Sequence, residues 1–458
     1  MRRLAIALLL TATLTLTQLP ARAYTLQFTD APNSVQIRWP SRNIKVALST
    51  SLGAPQTNIK SGSDVLGAAR RALASGTRGD GLSLITVAHT AENTEAFAGE
   101  GSEMPGRTRV FNTIAGSITE ADIALNPSQP FSTDATPGTY DLEATFTHEI
   151  GHLLGLEHSA VLGATMQPRA ARNGIYNLPA LSARTLSEDD RAGARALYGP
   201  RLGSGARGSI QGTVDFVSGA PVFGANVWAE EAATGRVAAS SITLSNGAYR
   251  MEGLLPGEYR VFAGPLGGAV NSSEIASQRG AYAALAFNQQ FPFRAEEIGR
   301  VTVEPHSTAQ LNAQISGLPS LVNPSFIGIN RELSTVALPL VPGQAYKLFL
   351  GGGGIKASQL SGSGVTATSP FIIVDSSSLK DEDFGEGINV ISFDVMLAGD
   401  IQAGEYSLRL QTAAGDVAYV VGGLTIDGPE SVAEAEQGAP TDDGLGMVAD
   451  ESVVTDYE

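Results

Sequence analysis

The chain has 458 residues, no cysteine and five histidines, and its formal net charge at pH 7 is −16. The lack of cysteine excludes disulfide bonds and thiolate metal ligands, and the negative charge argues against binding to nucleic acid or to an anionic membrane. The length exceeds what a single core usually organises, so more than one domain is expected.

Residues 1–23 have the pattern of a secretory signal peptide. Two arginines precede an apolar stretch over residues 4–16, and Ala-Arg-Ala at 21–23 offers a cleavage site. A membrane anchor is the alternative, but it would need roughly 18–20 uninterrupted apolar residues, and threonines interrupt this stretch. We therefore expect Tyr24 to be the mature N-terminus of a protein without membrane insertion, acting in the extracellular space or the periplasm.

A helix with one buried face is predicted where the histidines concentrate. Leu142, Phe146, Ile150 and Leu153 recur at helical spacing, so their side chains share one face. Asp141 is a suitable N-cap, because its carboxylate can accept a hydrogen bond from the first turn.

Eleven consecutive residues fit the pattern H-E-x-x-H-x-x-G-x-x-H at every specified position: His148, Glu149, His152, Gly155 and His158. Histidines four apart on a helix lie on one face and can bind one ion. Zinc accepts imidazole nitrogen at roughly 2.0–2.1 Å, and catalytic sites use three protein ligands. The glycine can end the helix in a left-handed conformation and deliver the third histidine. Histidines at i and i+4 alone would be weak evidence, but the complete pattern favours zinc.

Further motifs make the region resemble the matrixin branch of the metzincin zinc proteases. Ser159 follows the third histidine, and Met166 lies within residues 164–168 at the position of the family's Met-turn. Residues 186–199 are similar to the closing helix of a matrixin catalytic domain, and residues 120–126 to the strand before its active-site loop.

The resemblance implies a multidomain chain in which residues 24–200 form an α+β metzincin catalytic domain with a twisted mixed sheet and an active-site helix. It implies one catalytic Zn²⁺ bound by the three histidines, with Glu149 as the general base. Gly155 and Met166 would support the site, the methionine as a hydrophobic floor beneath the zinc.

Some family features are absent from the sequence. Many matrixins have a tyrosine in the specificity pocket where Arg169 and Ala170 follow Pro168 here, so substrate preference cannot be carried over. The family's cysteine-switch latency requires a thiolate that this chain lacks. His89 alone would not make the structural zinc site of animal members, while Ca²⁺ bound by carboxylates and carbonyls is left open.

Beyond a Gly-rich linker at 200–205, period-two strands replace the helical periodicity. Residues 207–316 resemble the carboxypeptidase regulatory-like domain, a transthyretin-like β-sandwich. Residues 317–428 alternate in the manner of an immunoglobulin-like sandwich. Residues 429–458 contain nine acidic residues and no Lys or Arg, which predicts a disordered tail.

The sequence thus predicts a secreted zinc endopeptidase that hydrolyses protein or peptide substrates. Glu149 would take a proton from the attacking water, and an edge strand around residues 109–111 would align an extended peptide. The β modules could bind substrate or a surface, or act as spacers. The competing hypothesis is a surface or matrix-binding adhesin whose zinc domain is vestigial.

Overall fold

The fold was analysed in a computed structural model that describes residues 25–30, 34–41, 44–76, 85–88, 103–180, 182–199, 206–270, 272–275, 280–282, 293–385, 387–427 and 447–450. The predicted signal peptide with Tyr24, the linker, His89 and most of the acidic tail lie outside the described residues. No helix in the described ranges is both long and apolar enough to span a bilayer.

The N-terminal region combines a mixed sheet with three helices. Its elements are β1 Ile44–Leu48, α1 Val65–Gly76, β2 Ile85–Ala88, β3 Gly106–Asn112, β4 Ile118–Leu125, β5 Phe131–Ser132, β6 Tyr140–Asp141, α2 Leu142–Leu154 and α3 Glu188–Tyr198, with 3-10 turns at Thr50–Gly53, Ile175–Asn177 and Ser182–Arg184. β1, β2 and β4 pair in parallel, and β3 pairs antiparallel with β4. α1 and α2 pack on each other and share one hydrophobic core with the sheet.

Helix α2 begins and ends where the sequence predicts. The Asp141 carboxylate accepts a hydrogen bond of 3.0 Å from the Ala144 amide, which confirms the N-cap. Gly155 ends the helix with φ 98°, in the left-handed region. A Cβ there would lie 2.4 Å from the carbonyl oxygen of Ile37, so both conformation and space require glycine.

The second region forms two sheets within the predicted range. Its elements are β7 Gly208–Phe216, β8 Asn226–Glu231, β9 Val237–Ile242, β10 Ala248–Leu254, β11 Gly257–Gly264, α4 Ser272–Ile275, β12 Glu296–Val303, β13 Thr308–Gln310 and β14 Ala313–Ile315, with a 3-10 turn at Gly280–Tyr282. One sheet has the order β12-β11-β8-β9, and the other β10-β7-β13 with β14 also paired to β7. Trp228 stacks on Phe262 at 5.2 Å between ring centroids.

The third region is also built from two sheets, which share a core. Its strands are β15 Asn323–Ile329, β16 Glu332–Ser334, β17 Leu338–Leu340, β18 Ala345–Gly353, β19 Leu360–Ala367, β20 Ile372–Glu382, β21 Asn389–Leu397, β22 Gly404–Thr412 and β23 Val417–Ile426, with a 3-10 turn at Ala357–Gln359. The sheet orders are β16-β15-β18-β21-β20 and β17-β23-β22-β19. The predicted inward-facing residues of β21, Ile391, Phe393, Val395 and Leu397, are all buried.

One part of the acidic tail differs from the prediction of disorder. Met447–Asp450 form a strand, β24, that pairs in parallel with β1 and widens the N-terminal sheet. Met447, Val448 and Ala449 form a short apolar stretch within the acidic composition, and β1 offers it an edge with unpaired backbone groups.

The three regions are in direct contact. The loop after α2 enters the core of the third region through Leu162, whose amide donates to the Val421 carbonyl at 2.9 Å. α3 contacts the second region, where the Ser240 amide donates to the Asp189 carboxylate at 2.5 Å. The two β regions therefore flank the loop that follows the histidine motif.

Candidate metal centre

Three histidine rings converge at the C-terminal end of α2. His148 and His152 lie one turn apart on the helix, and the turn at Gly155 brings His158 beside them. One potential ligand atom from each ring lies within 4.8 Å of the others. The Nε2 atoms of His152 and His158 are 3.2 Å apart, close to the about 3.3 Å that tetrahedral coordination with Zn–N bonds of about 2.0–2.1 Å requires.

The Nδ1 atoms of the same rings face main-chain carbonyl oxygens. His148 Nδ1 lies 2.8 Å from the Thr165 carbonyl, His152 Nδ1 3.0 Å from that of Leu156, and His158 Nδ1 2.6 Å from that of Glu274. A carbonyl oxygen only accepts, so each Nδ1 donates its proton and each Nε2 keeps a lone pair. This donor set of three imidazole nitrogens fits a zinc ion.

Two of the rings are also held neutral by their surroundings. Burial, together with the neighbouring histidines, lowers the pKa of His152 well below its usual value. Burial and His148 lower the pKa of His158 to about 3. Neutral imidazole is the form that binds a metal, so His152 and His158 do not have to lose protons near neutral pH.

Glu149 lies between α2 and β3, directly after the first histidine. Its side chain is buried, and Oε2 accepts a hydrogen bond of 2.6 Å from Thr108 Oγ1. A Cβ at Gly106 would lie 2.6 Å from Oε1, so the glycine leaves room for the carboxylate. Burial raises the pKa of Glu149, while His148 and the Thr108 hydroxyl act in the opposite direction.

Met166 packs closely beneath the histidine helix. It is buried, and a Cβ at Gly151 would lie 2.1 Å from its sulfur. The Asp190 carboxylate of α3 accepts hydrogen bonds from the amides of Thr165, at 2.8 Å, and Met166, at 3.3 Å. Helix α3 therefore fixes the position of this methionine.

A cleft of about 570 Å³ lies beside His148 and Glu149. Residues of the N-terminal region line one part of it, including Pro105 and Ala144. Residues of the other two regions line another part: Ser273, Glu274, Val336, Ala337 and Thr425. The cleft is thus formed by three regions of the chain.

Arg169 joins two of these regions. Its Nε donates to the Glu274 carboxylate at 2.7 Å, and its Nη1 donates to the Ala269 carbonyl at 3.3 Å. The next residue, Ala170, occupies the position of the family's tyrosine, and the sequence did not predict that Arg169 pairs with the second region.

The structure brings His148, Glu149, His152, His158 and Met166 together and places Gly155 at the helix end that turns the chain. The strand predicted over residues 109–111 belongs to β3, which lies at one end of the strand order β24-β1-β2-β4-β3 of the described sheet.

Sequence reasoning missed three residues that support the site. Thr108 binds the Glu149 carboxylate, Asp190 holds the turn at Met166, and Glu274 contacts His158. Asp190 could have been suspected as the N3 acid of a capping box with Ser187. No local signal identifies Glu274, because 116 positions separate it from His158.

The family comparisons agree with this geometry. Residues 84–199 match the matrixin family model, and residues 209–316 match the carboxypeptidase regulatory-like domain model. A segment is 47% identical over 60 residues to metalloendoproteinase 1-MMP of Arabidopsis thaliana and 41% identical over 61 residues to interstitial collagenase of Sus scrofa. Each match covers 13% of this chain, and 15% and 11% of the two relatives.

Among solved structures, the major pilin subunit of Bacillus cereus aligns with 46% of this chain and 66% of its own, at 13% identity and a TM-score of 0.15, too low for a comparison of folds. The family models cover distinct parts of the sequence and together span most of its first two regions. The chain therefore contains a matrixin domain followed by a carboxypeptidase regulatory-like domain.

Proposed function

We propose that the chain is a secreted zinc-dependent endopeptidase whose residues 24–200 form a metzincin-type catalytic domain. The observation that carries the proposal is the convergence of three imidazoles, each with its Nδ1 on a carbonyl oxygen, next to the buried carboxylate of Glu149. A single Zn²⁺ suffices for this function.

His148, His152 and His158 would hold the metal through Nε2. When bound, zinc supplies Lewis-acid polarisation of water and of the scissile carbonyl. Glu149 accepts a proton from the attacking water at its carboxylate and hands it to the nitrogen of the leaving amine. Thr108 orients that carboxylate by its hydrogen bond of 2.6 Å.

The substrate class we propose is an unfolded protein or an extended peptide. Among the described residues β3 is the last strand of the sheet and lies next to Glu149. Its outer edge can pair with an extended main chain, because an edge strand offers unpaired N–H and C=O groups. The adjoining cleft of about 570 Å³ is wide enough for a substrate side chain.

Secretion of the enzyme rests on the signal-peptide pattern at 1–23. We assign residues 207–316 and 317–428 to two β-sandwich domains, carboxypeptidase regulatory-like and immunoglobulin-like. Both have residues that line the cleft, which favours a role in the catalytic cycle over that of a spacer.

The test uses the full secreted chain loaded with one equivalent of zinc. We expect it to cleave casein and extended fluorogenic peptides, to lose activity with a zinc chelator and to recover it when zinc is restored. Zinc-loaded, folded protein that cleaves no unfolded protein or peptide would contradict the proposal and favour the adhesin hypothesis.

A further inference from the structure

The third histidine of the proposed zinc site takes its hydrogen-bond partner from another domain. His148 and His152 donate to the carbonyls of Thr165 and Leu156, both within the N-terminal region. His158 donates to the carbonyl of Glu274, which lies in α4 of the second region at a distance of 2.6 Å. The orientation of one ring in three thus depends on how the two domains dock.

The side chain of the same glutamate forms a wall of the cleft. Its carboxylate accepts from Arg169 Nε at 2.7 Å and lies 2.5 Å from Nη2. Both side chains are partly buried, with 35% of Arg169 and 22% of Glu274 exposed, and both residues line the cleft. The main-chain carbonyl of Glu274 therefore contacts His158, while its side chain forms an ion pair with Arg169 in the segment after Met166.

We propose that Glu274 is a positioning residue for His158 and, together with Arg169, a specificity-determining wall of the cleft. The active site would then be completed by the second domain. This inference rests on the proposed zinc endopeptidase function and extends it to zinc retention and to the charge of the accepted side chain.

Loss of the Glu274 carboxylate should weaken zinc retention. The ion pair with Arg169 anchors the residue whose carbonyl fixes the His158 ring. Removing such an outer partner of a metal-bound histidine typically lowers metal affinity by about 10–100-fold. Glu274→Ala leaves the carbonyl in place, so we expect the lower end, about tenfold faster zinc loss. Glu274→Gly also loosens the main chain and should have a larger effect.

The ion pair also sets which substrate charges the cleft accepts. In the wild type the two opposite charges cancel, so the wall favours an uncharged side chain. Glu274→Ala leaves an unpaired guanidinium that attracts Asp or Glu in the substrate. Arg169→Ala removes the guanidinium from the Glu274 carboxylate, so the wall becomes more negative and attracts Lys or Arg. Each preference should shift by about fivefold, the size of a partly solvated charge interaction, and in opposite directions.

The experiment compares the wild type with three single variants, Glu274→Ala, Glu274→Gly and Arg169→Ala, and with the double variant that combines Glu274→Ala and Arg169→Ala. All are used as zinc-loaded full chains. Zinc loss to a chromogenic chelator is measured without substrate, and kcat/KM is measured on peptides that differ only by Glu, Gln or Lys at one position beside the scissile bond. Glu297→Ala is the matched control, since that glutamate pairs with Arg260 at 2.8 Å in the same domain and does not line the cleft.

The expected result is faster zinc loss in both Glu274 variants and in Arg169→Ala, which breaks the same ion pair. The two single alanine variants should show opposite charge preferences, and the control should be unchanged. The double variant should lose both preferences. Arg169→Glu combined with Glu274→Arg restores a pair and should recover zinc retention, which separates this role from general misfolding. Two results would overturn this inference and leave the proposed function standing. One is a rate of zinc loss in Glu274→Gly equal to that of the wild type, and the other is charge preferences that do not move in opposite directions. A wild-type chain that binds no zinc and cleaves nothing would overturn the proposed function as well.

Discussion

The metal-binding end of the cleft and its far walls are encoded in different ways. His148, Glu149, His152 and His158 lie within eleven residues, and helix geometry plus one glycine turn are enough to bring them together. Glu274 and Val336 reach the same cleft from the second and third regions of the chain. The comparison indicates that local structure places the metal-binding side chains, whereas the orientation of the His158 ring and the shape and charge of the cleft also depend on contacts with the other two regions.

Glu149→Gln tests the metal-binding end of the cleft, and we expect it to have the largest effect. The amide keeps the size of the side chain but cannot accept the proton, so kcat/KM on a casein-derived peptide should fall by about 10²–10⁴. Zinc content should not change, because the ligand atoms are untouched. Glu120→Gln, an exposed change of the same kind on β4, is the control. Full activity of Glu149→Gln would assign the base to another residue.

The contact between α3 and the third region contains a buried carboxylate whose charge depends on pH. Glu405 on β22 is 8% exposed and faces Asp189 and Asp190 of α3. Burial first, and then the charge of Asp190, raise the pKa of Glu405 to about 8, whereas Arg236 and Arg191 act in the opposite direction. The folded chain therefore keeps a proton that the unfolded chain releases near its ordinary pKa of 4.5.

Because the folded state binds more protons in this window, the free energy of unfolding should fall as pH rises from about 4.5 to about 8, by a few kcal/mol. Glu405→Gln should flatten this slope and stabilise the chain at the alkaline end. Some slope should remain, since the pKa of Asp189 is also raised by burial, to about 7. Denaturant midpoints across this range measure the effect, and a variant slope equal to that of the wild type would contradict it.

Thr108→Val is a smaller change at the metal-binding end of the cleft. Valine has nearly the shape of threonine but cannot donate to the Glu149 carboxylate, so kcat should fall by about tenfold while zinc loss is unchanged. Thr119→Val on β4 removes an exposed threonine hydrogen bond from the same sheet and serves as the control. An equal loss of activity in both variants would show that the effect is not specific to Glu149.

The sequence predicts the metal end well for physical reasons. The i, i+4 spacing of His148 and His152, the cap at Asp141 and the left-handed glycine are all short-range requirements. The alternation in β21 likewise needs only two faces of a strand. Patterns of this kind depend only on residues that are close in the sequence. The helix and the strand can therefore be predicted from the sequence alone.

The remaining features depend on contacts between distant parts of the chain. The partner of Arg169 lies 105 positions away, so the sequence shows that the family tyrosine is missing at Ala170 but does not show what Arg169 pairs with. The strand Met447–Asp450 forms only because β1 offers it an edge, and its acidic surroundings predict disorder. Tyr176 gives no motif signal, yet its hydroxyl lies 3.0 Å from the Ile327 carbonyl and 2.9 Å from that of Val336 in the third domain.

Tyr176→Phe should have the smallest effect of the variants. It should also distinguish most clearly between the metal-binding end of the cleft and its far walls. The ring is fully buried and remains in the variant, but the hydroxyl no longer binds carbonyls that include Val336, which lines the cleft. We expect about 1 kcal/mol less stability, from the loss of one buried hydrogen bond.

The far wall at Val336 would then be less firmly held, so a peptide library should show a broader tolerance for bulky apolar side chains. Zinc loss should equal that of the wild type, because the three histidines of the site take their hydrogen bonds from Thr165, Leu156 and Glu274 and not from this tyrosine. Tyr346→Phe is the control, since its hydroxyl accepts from the exposed Val341 amide at 2.9 Å, away from the cleft. Faster zinc loss in Tyr176→Phe would mean that contacts with the third region govern zinc retention as well as the shape of the cleft, which would contradict the assignment of this tyrosine to the far wall alone.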